Sequence, residues 1–301
     1  MNAERSHLLL VNPSSGGGRA RKLLPEMERE LERWQISFRT IETQSLEHGV
    51  EEARRAADVG EIPVVMSGDG LTGQVGGALA GSGASMGILP VGRGNDLARV
   101  LGIAPEPAGA VAVLAAGQER EIDIGEVNGR RFLCIASFGF DSDANRIANE
   151  ARLVRGNLVY AYAALRAMAA WRPATFTVSV NSRESKTFKG YSVAVANSRA
   201  FGGGMFVAPH AKLDDGLFDI VVIGEMGKLR YLANLPKVFK GTHVEEDEVT
   251  ELPAAGAEIR VSADRDFAVY ADGEHLADLP ATLRVLPRAL RVIAPPAEAK
   301  A

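Results

Sequence analysis

The sequence predicts an α/β N-terminal domain, a Rossmann-like parallel sheet with helices on both faces, followed by a predominantly antiparallel β-sandwich C-terminal domain. Three observations carry this. Between residues 8 and 101, aliphatic runs alternate with stretches of helical period, the signature of a parallel sheet covered on both faces. From about residue 121 that alternation gives way to short strands separated by turn signals, as in an antiparallel sandwich. Three glycine-bearing loops, 12–18, 67–73 and 92–95, each follow an early strand, at the sheet edge where such folds bind ligands. The expected boundaries are 1–125 for the α/β domain, 126–294 for the β-rich domain and 295–301 for a loose tail.

The elements follow in order. Leu8–Val11 reads as a buried strand, broken by Asn12-Pro13-Ser14-Ser15-Gly16-Gly17-Gly18. Leu24, Met27, Leu31 and Trp34 recur at helical spacing. Pro25 either opens that helix or kinks one begun near Arg19. Residues 36–41 alternate as a second strand, and 46–57 read as a second helix. A strand through Val64 runs into Ser67-Gly68-Asp69-Gly70, and a third helix starts behind it. Residues 86–91 are a fourth strand, with a helix beginning around Asn95. Residues 122–127, Asn128-Gly129 and 130–136 read as a β-hairpin with a two-residue turn. A helical stretch is expected over 144–171. Strands are then expected at 175–180, 191–196, 217–223, 259–263, 267–270, 282–286 and 290–293, with one helix at 229–239.

The chain of 301 residues is long enough to bury a sizeable core in two domains. With 46% hydrophobic and 24% charged residues it has a globular composition. A formal charge of −4 argues against general nucleic-acid binding, which a basic chain would serve. The single cysteine, Cys134, lies in an apolar run and reads as a buried thiol. The apolar run at 8–11 is too short for a signal peptide, and no uncharged apolar stretch approaches the roughly 18–20 residues of a membrane span. A cytoplasmic protein is expected, with any membrane contact peripheral and at the inner face.

Several segments could carry chemistry. The 12–18 loop precedes Arg19, Arg21 and Lys22, and exposed amides beside cations suit a phosphate chain. No Gly-Lys-Ser/Thr follows, so it is not a Walker A loop; a flexible turn with a solvated basic helix is the plain alternative. Glycines flanking Asp69 would let a ligand approach the backbone. In Val91-Gly92-Arg93-Gly94-Asn95-Asp96, helix capping accounts for Asn95 and Asp96, whereas Arg93 could hold a phosphate bidentately. Residues 209–219 place Asp214, Asp215 and Asp219 within six residues. That segment is first a turn and, more sharply, a hard-cation site. Tyr270-Ala271-Asp272-Gly273-Glu274 is again a turn, whose two acids could supply a general base.

Taken together, these segments resemble the diacylglycerol kinase and sphingosine kinase family of lipid kinases. The resemblance covers nearly the whole chain, in order. Asn12 to Gly16 resembles the family's first nucleotide loop, and Ser67-Gly68-Asp69-Gly70-Leu71 its G-G-D-G-T loop in the S-G-D-G-L form. Pro90 to Asp96 with Ala98-Arg99 resembles P-x-G-T-x-N-D-x-A-R. Ser137-Phe138-Gly139-Phe140-Asp141, Asp214 to Asp219 and Asp272-Gly273-Glu274 match later family segments.

The resemblance implies an ATP-dependent kinase acting on a lipid alcohol such as diacylglycerol or a sphingoid base, with ATP and lipid meeting between the domains. It implies nucleotide contacts at Asn12, Pro13, Ser14, Ser15, Gly16, Thr43, Ser67, Gly68, Asp69, Gly70, Leu71, Thr72, Gly73, Gly92, Arg93, Asn95 and Asp96. It further implies Mg2+ at Asp215 with backbone oxygens of Lys212 and Leu217, magnesium on the ATP phosphates near Asp69, and a proton acceptor at Asp272 or Glu274. Leu71 and Arg93 stand where the family carries threonine, and Gln74 where it carries an acid. Alternatives are a NAD kinase-like enzyme, since that family also has a G-G-D-G loop, and a non-catalytic nucleotide or lipid sensor, suggested by Leu71 and Gln74. Arg146, Arg152, Arg155, Arg166 and Arg172, interleaved with apolar residues, would suit an interfacial helix on anionic lipid or an ordinary core-covering helix. An exposed strand edge would serve a homodimer.

Overall fold

The structure is a computed structural model and describes residues 6–140, 142 and 171–296. The expected helix over 144–171, with Arg146, Arg152, Arg155 and Arg166, lies outside the described residues apart from its last residue, as does Asp141. The chain divides into two units. Unit 1 comprises residues up to Ile124, the tripeptide Gly202–Gly204, and residues from Leu286 onward; unit 2 comprises Gly125–Phe201 and Met205–Val285.

Unit 1 is the α/β layer. Its strands are β1 (His7–Val11), β2 (Phe38–Glu42), β3 (Ile62–Ser67) and β4 (Ser85–Pro90). They pair in parallel in the order β4-β3-β1-β2. Every residue of β3 and β4 is buried, as a parallel sheet covered on both faces requires. The covering helices are α1 (Ser15–Arg33), α2 (Leu46–Asp58), α3 (Asp69–Leu79), α4 (Asp96–Val100) and α5 (Pro107–Ala116). Gly16, Gly17 and Gly18 have φ of 62, 71 and 90°, so regular helix in α1 begins at Arg19, and Pro25 falls in its interior. Ser45 caps α2 by accepting the His48 amide at 3.1 Å. α5 opens on Pro107 and stops at left-handed Gly117. The strand order reverses direction between β1 and β3, so the loops leaving their carboxyl ends flank a crevice at a topological switch point.

Unit 2 is antiparallel. β5 (Glu119–Val127), which enters this unit at Gly125, pairs with β6 (Arg130–Phe132) across Asn128 and Gly129, both at positive φ, as expected for this hairpin. The remaining strands are β7 (Ile135–Gly139), β8 (Ala174–Val180), β9 (Lys186–Ala196), β10 (Phe218–Gly224), β11 (Val249–Gly256), β12 (Glu258–Ala263), β13 (Ala268–Ala271), β14 (Glu274–Asp278) and β15 (Ala281–Ile293), which belongs to unit 1 from Leu286 onward, with α6 at Lys228–Val238. Alternate residues of β7, β9 and β10, among them Phe138, Val193, Val195, Ile220 and Val222, point into one core, following the period-two alternation of a strand; the residues between them are buried as well in β7 and in most of β9 and β10.

Three expectations change. The strand expected over 130–136 breaks at Leu133–Cys134, because the amides of those two residues turn to a side chain described below. The two strands expected at 282–286 and 290–293 are one element. Arg288 sits within it at φ 49°, its amide donating to buried Asp123 at 2.7 Å. β11 and β14 were not expected: β11 carries Pro253, Ala254 and Ala255 rather than an aliphatic run, and β14 is mostly polar.

Candidate active site

The loops 12–18, 67–70 and 91–95 of unit 1 meet at backbone distance, as the sheet topology predicts. A β-carbon placed on Gly92 would lie 2.4 Å from Gly68 Cα, and one on Gly16 would lie 2.4 Å from Val91 O. Only glycine permits such approach. Asn95, left-handed at φ 53°, locks Gly92 with both ends of its amide: Oδ1 accepts the Gly92 amide at 2.9 Å and Nδ2 donates to Gly92 O at 3.1 Å. In the first loop, Asn12 Oδ1 accepts the Ser14 amide and hydroxyl at 3.2 and 2.8 Å. Buried Ser15 brings its Oγ to 3.5 Å from a β-carbon placed on Gly68. Thr43 closes the side of the crevice, its amide and hydroxyl both donating to Val11 O, at 2.8 and 3.3 Å.

Asp69 joins two of these loops. Its Oδ2 accepts the Asn95 amide at 2.8 Å and its Oδ1 the Asp96 amide at 2.6 Å. The amide of the residue before α4 and the first amide of α4 itself are therefore held by an acid 26 and 27 residues away. This corrects the expectation that Asn95 or Asp96 caps its own helix: neither side chain does so. Burial pushes the Asp69 carboxyl above the ordinary carboxylate range, and neighbouring Asp96 adds to the rise, against the pull of the amide bonds. Asp96, 4% exposed, directs its own carboxylate at the amides of Gly203 and Gly204.

Two residues expected at the nucleotide face inward instead. Leu71 is 1% exposed, with Cδ1 only 2.6 Å from a β-carbon placed on Gly49 of α2. It is a core residue, and a hydroxyl there would meet apolar packing rather than a phosphate. Thr72 is buried with its hydroxyl bonded back to Gly68 O at 2.9 Å. Arg93 is exposed. A β-carbon on Gly17 would lie 3.6 Å from its Nη2, so the guanidinium stands over the first glycine loop. Gly70 is open, with nothing within 4 Å of an added β-carbon.

In unit 2, Asp272 and Glu274 sit on the β13–β14 turn. Asp272 is left-handed at φ 51°, and both its oxygens accept backbone amides, Leu133 at 2.6 Å and Cys134 at 3.0 Å. This pair of bonds breaks the strand between β6 and β7. Glu274 begins β14 opposite Ala271, half-buried.

In the acidic segment, Asp215 is exposed and its Oδ1 accepts the Leu217 amide at 3.1 Å; Lys212 is exposed and Leu217 half-buried. Asp219 is 2% exposed. Its Oδ1 accepts the Ala254 amide at 2.8 Å, while Oδ2 is buried with no hydrogen-bond partner among the described residues. Burial raises the Asp219 pKa, and the charges of Asp215 and Glu251 add to the rise. Among the described residues no group of three or more His, Cys, Asp or Glu could hold a metal by side chains alone. Any cation here would draw on carboxylate and backbone oxygens, a set that fits magnesium, and the orphaned Asp219 oxygen is consistent with it.

The run Gly202-Gly203-Gly204, which Asp96 holds, was not singled out from the sequence. Three consecutive glycines between Phe201 and the short apolar segment 205–208 were the available signal.

Comparison with known proteins agrees with this fold. The family model "Diacylglycerol kinase catalytic domain" matches residues 6–127, and "YegS C-terminal NAD kinase beta sandwich-like domain" matches residues 134–294. A Mycobacterium tuberculosis protein named "Diacylglycerol kinase" is 34% identical over 238 residues, covering 77% of this chain and 76% of the relative. A Bacillus subtilis protein of the same name is 26% identical over 302 residues, 97% of each chain. A solved structure, "The crystal structure of a diacylglycerol kinases from Bacillus anthracis str. Sterne", superposes with a TM-score of 0.77 over 99% of this chain and 100% of the other, at 20% identity, and so supports the fold. No helix among the described residues is long and apolar enough to cross a membrane. With glycine loops at a switch point and family matches spanning both units, the chain belongs to the diacylglycerol kinase family of lipid kinases.

Proposed function

We propose that this enzyme transfers the γ-phosphoryl group of ATP to a hydroxyl of a lipid alcohol such as diacylglycerol or a sphingoid base. The observation that carries the reading is the cradle of loops 12–18, 67–70 and 91–95, closed so tightly that a β-carbon at Gly16 or Gly92 would strike backbone. A phosphate chain would lie on its open side, along Gly70 and under Arg93, whose guanidinium pairs with no acidic side chain among the described residues. The relatives' names supply the acceptor class.

In this reading the acceptor oxygen forms a bond to the γ-phosphorus while the bond to the β–γ bridging oxygen breaks, leaving ADP. Glu274 takes the hydroxyl proton. Asp272 fixes the turn on which Glu274 stands, since both its oxygens already serve the 133–134 amides. Asp69 and Asn95 hold the loops in a shape that needs no rearrangement when charge develops. Asp215, with backbone oxygens of Lys212 and Leu217, would hold magnesium, a cation that supplies charge compensation and order where it binds. Most of the rate would come from positioning and electrostatics.

The test incubates the protein with γ-labelled ATP, magnesium, a panel of lipid alcohols in mixed micelles, and NAD. Label in a lipid phosphate is expected. Label in NADP alone would establish the NAD kinase alternative, and no labelled product would refute transfer altogether.

A further inference from the structure

Asp96 lies almost wholly out of solvent, yet it carries a carboxylate committed to a segment far along the chain. Gly203 N donates to Oδ2 at 3.0 Å and Gly204 N to Oδ1 at 2.7 Å, across 107 and 108 residues. Gly202, Gly203 and Gly204 have φ of 72, 88 and 96°, where a side chain would be strained. Phe201 and Met205 close the base of this turn, each amide donating to the other's carbonyl, at 2.9 and 3.2 Å. The result is a three-glycine tip on a two-bond neck. The tip groups with unit 1, and the neck residues belong to unit 2. Arg99 of α4 packs beside the tip. Its Cζ and Nε lie 3.3 Å from a β-carbon placed on Gly204, and its Nη2 donates to Gly94 O at 3.4 Å.

The segment that feeds this neck also supports Asp272. The amides of Asn197 and Ser198 both donate to Cys134 O, at 2.9 and 3.1 Å, and Asn197 Nδ2 donates to Leu133 O at 2.8 Å. Leu133 and Cys134 are the residues whose amides Asp272 accepts. The 197–198 segment continues in sequence through Arg199–Phe201 into the tip whose amides the Asp96 carboxylate holds.

We propose that Asp96 is a positioning residue for phosphoryl transfer: it captures the Gly202–Gly204 tip and, through it, constrains the Asn197–Ser198 segment on which the Asp272–Glu274 turn rests. Its kinetic consequence rests on the lipid kinase reading; the capture itself does not. Asp96 touches neither the phosphate nor the hydroxyl in this role. An aspartate suits it because each of its two oxygens accepts one of two adjacent amides, a match that asparagine breaks by setting an N–H against an N–H.

The experiment uses the full chain with Asp96→Asn, Gly204→Ala and the double variant, read by hydrogen exchange of peptides spanning 197–206 and by steady-state kinetics. Loss of one such bond corresponds to about ten-fold. The Gly203 and Gly204 amides are therefore expected to exchange about ten-fold faster or more in Asp96→Asn. Turnover with the lipid alcohol should fall about ten-fold, with KM for ATP within about threefold of wild type, since the lost bond lies off the phosphate loops. Because both substitutions break one interaction, the double variant should resemble either single one. Unchanged exchange at 203–204 in Asp96→Asn, or singles whose effects multiply in the double variant, would overturn the proposal. If the wild type phosphorylates no lipid alcohol, the kinase reading fails, while the exchange data still decide the capture.

Discussion

Asp272 and Glu274 belong to one turn but should fail in different ways when each is made an amide. Asp272 accepts two adjacent backbone amides at 2.6 and 3.0 Å. Asp272→Asn keeps one oxygen for one of them and points an NH2 group at the other, leaving a half-buried N–H without its acceptor. Loss of a hydrogen bond to a charged group costs about 1.5–3 kcal/mol. For a unit of this size, a kilocalorie corresponds to roughly 2–4 °C in melting temperature, so Asp272→Asn should melt about 3–12 °C below wild type. Its turnover should fall because the turn is no longer pinned, and lowering the temperature should restore part of it. Glu274→Gln preserves shape and should melt within about 1–2 °C of wild type. Loss of a general base lowers turnover about 10²–10⁴-fold, and that loss should persist at every temperature. Differential scanning fluorimetry and a labelled-ATP transfer assay on the same preparations make the comparison. An Asp272→Asn variant with wild-type melting and abolished turnover, beside an active Glu274→Gln, would reverse the two roles.

Gly92→Ala should drive the glycine loops apart, since the new β-carbon would fall 2.4 Å from Gly68 Cα and 2.8 Å from Asn95 Oδ1; titration with a fluorescent ATP analogue should show at least about ten-fold weaker binding together with a lowered melting temperature. Gly70→Ala is the contrasting case, because its β-carbon meets nothing within 4 Å and alanine favours the first turn of α3 by about 0.5–1 kcal/mol: stability should hold or rise while nucleotide affinity drops, and unchanged affinity would remove Gly70 from the site. Leu71→Thr places a hydroxyl in packed core, so urea unfolding should register a loss of about 2–5 kcal/mol with no gain in turnover. Asp69 sets a pH dependence. A carboxyl whose folded pKa is raised binds its proton more tightly in the native state, so wild-type stability should fall, relative to Asp69→Asn, as pH rises from the ordinary carboxylate range through the raised value, and then level off; an opposite slope in denaturant titrations would contradict the burial that causes the shift.

What the residues announced in advance and what they did not differ in the kind of partner involved. Aliphatic runs such as Leu8-Leu9-Leu10-Val11 and Val64-Val65-Met66 mark strands because side-chain burial depends on residue type. Glycine after such a run marks a loop, so the convergence of 12–18, 67–73 and 92–95 followed from parallel topology alone. The acids were different. Asp69, Asp96 and Asp272 each serve a pair of consecutive backbone amides, at separations of 26–27, 107–108 and 138–139 residues. An amide is common to every residue except proline, so the partner of such a carboxylate leaves no mark of residue type at its own position. Family resemblance pointed to these acids as site residues, yet it could not distinguish an acid that meets a ligand from one that shapes the loop around it. Leu71 is the converse case: its difference from the family's threonine suggested a weakened site, but its side chain lies in the core against Gly49, where a missing hydroxyl removes nothing. Of the two residues that suggest a non-catalytic protein, Leu71 and Gln74, the first is thus a packing residue rather than a lost ligand contact. The three consecutive glycines at 202–204 show where the reading could have gone further, because a run that sacrifices so much chain entropy needs a structural reason, and the two amides held by Asp96 provide it.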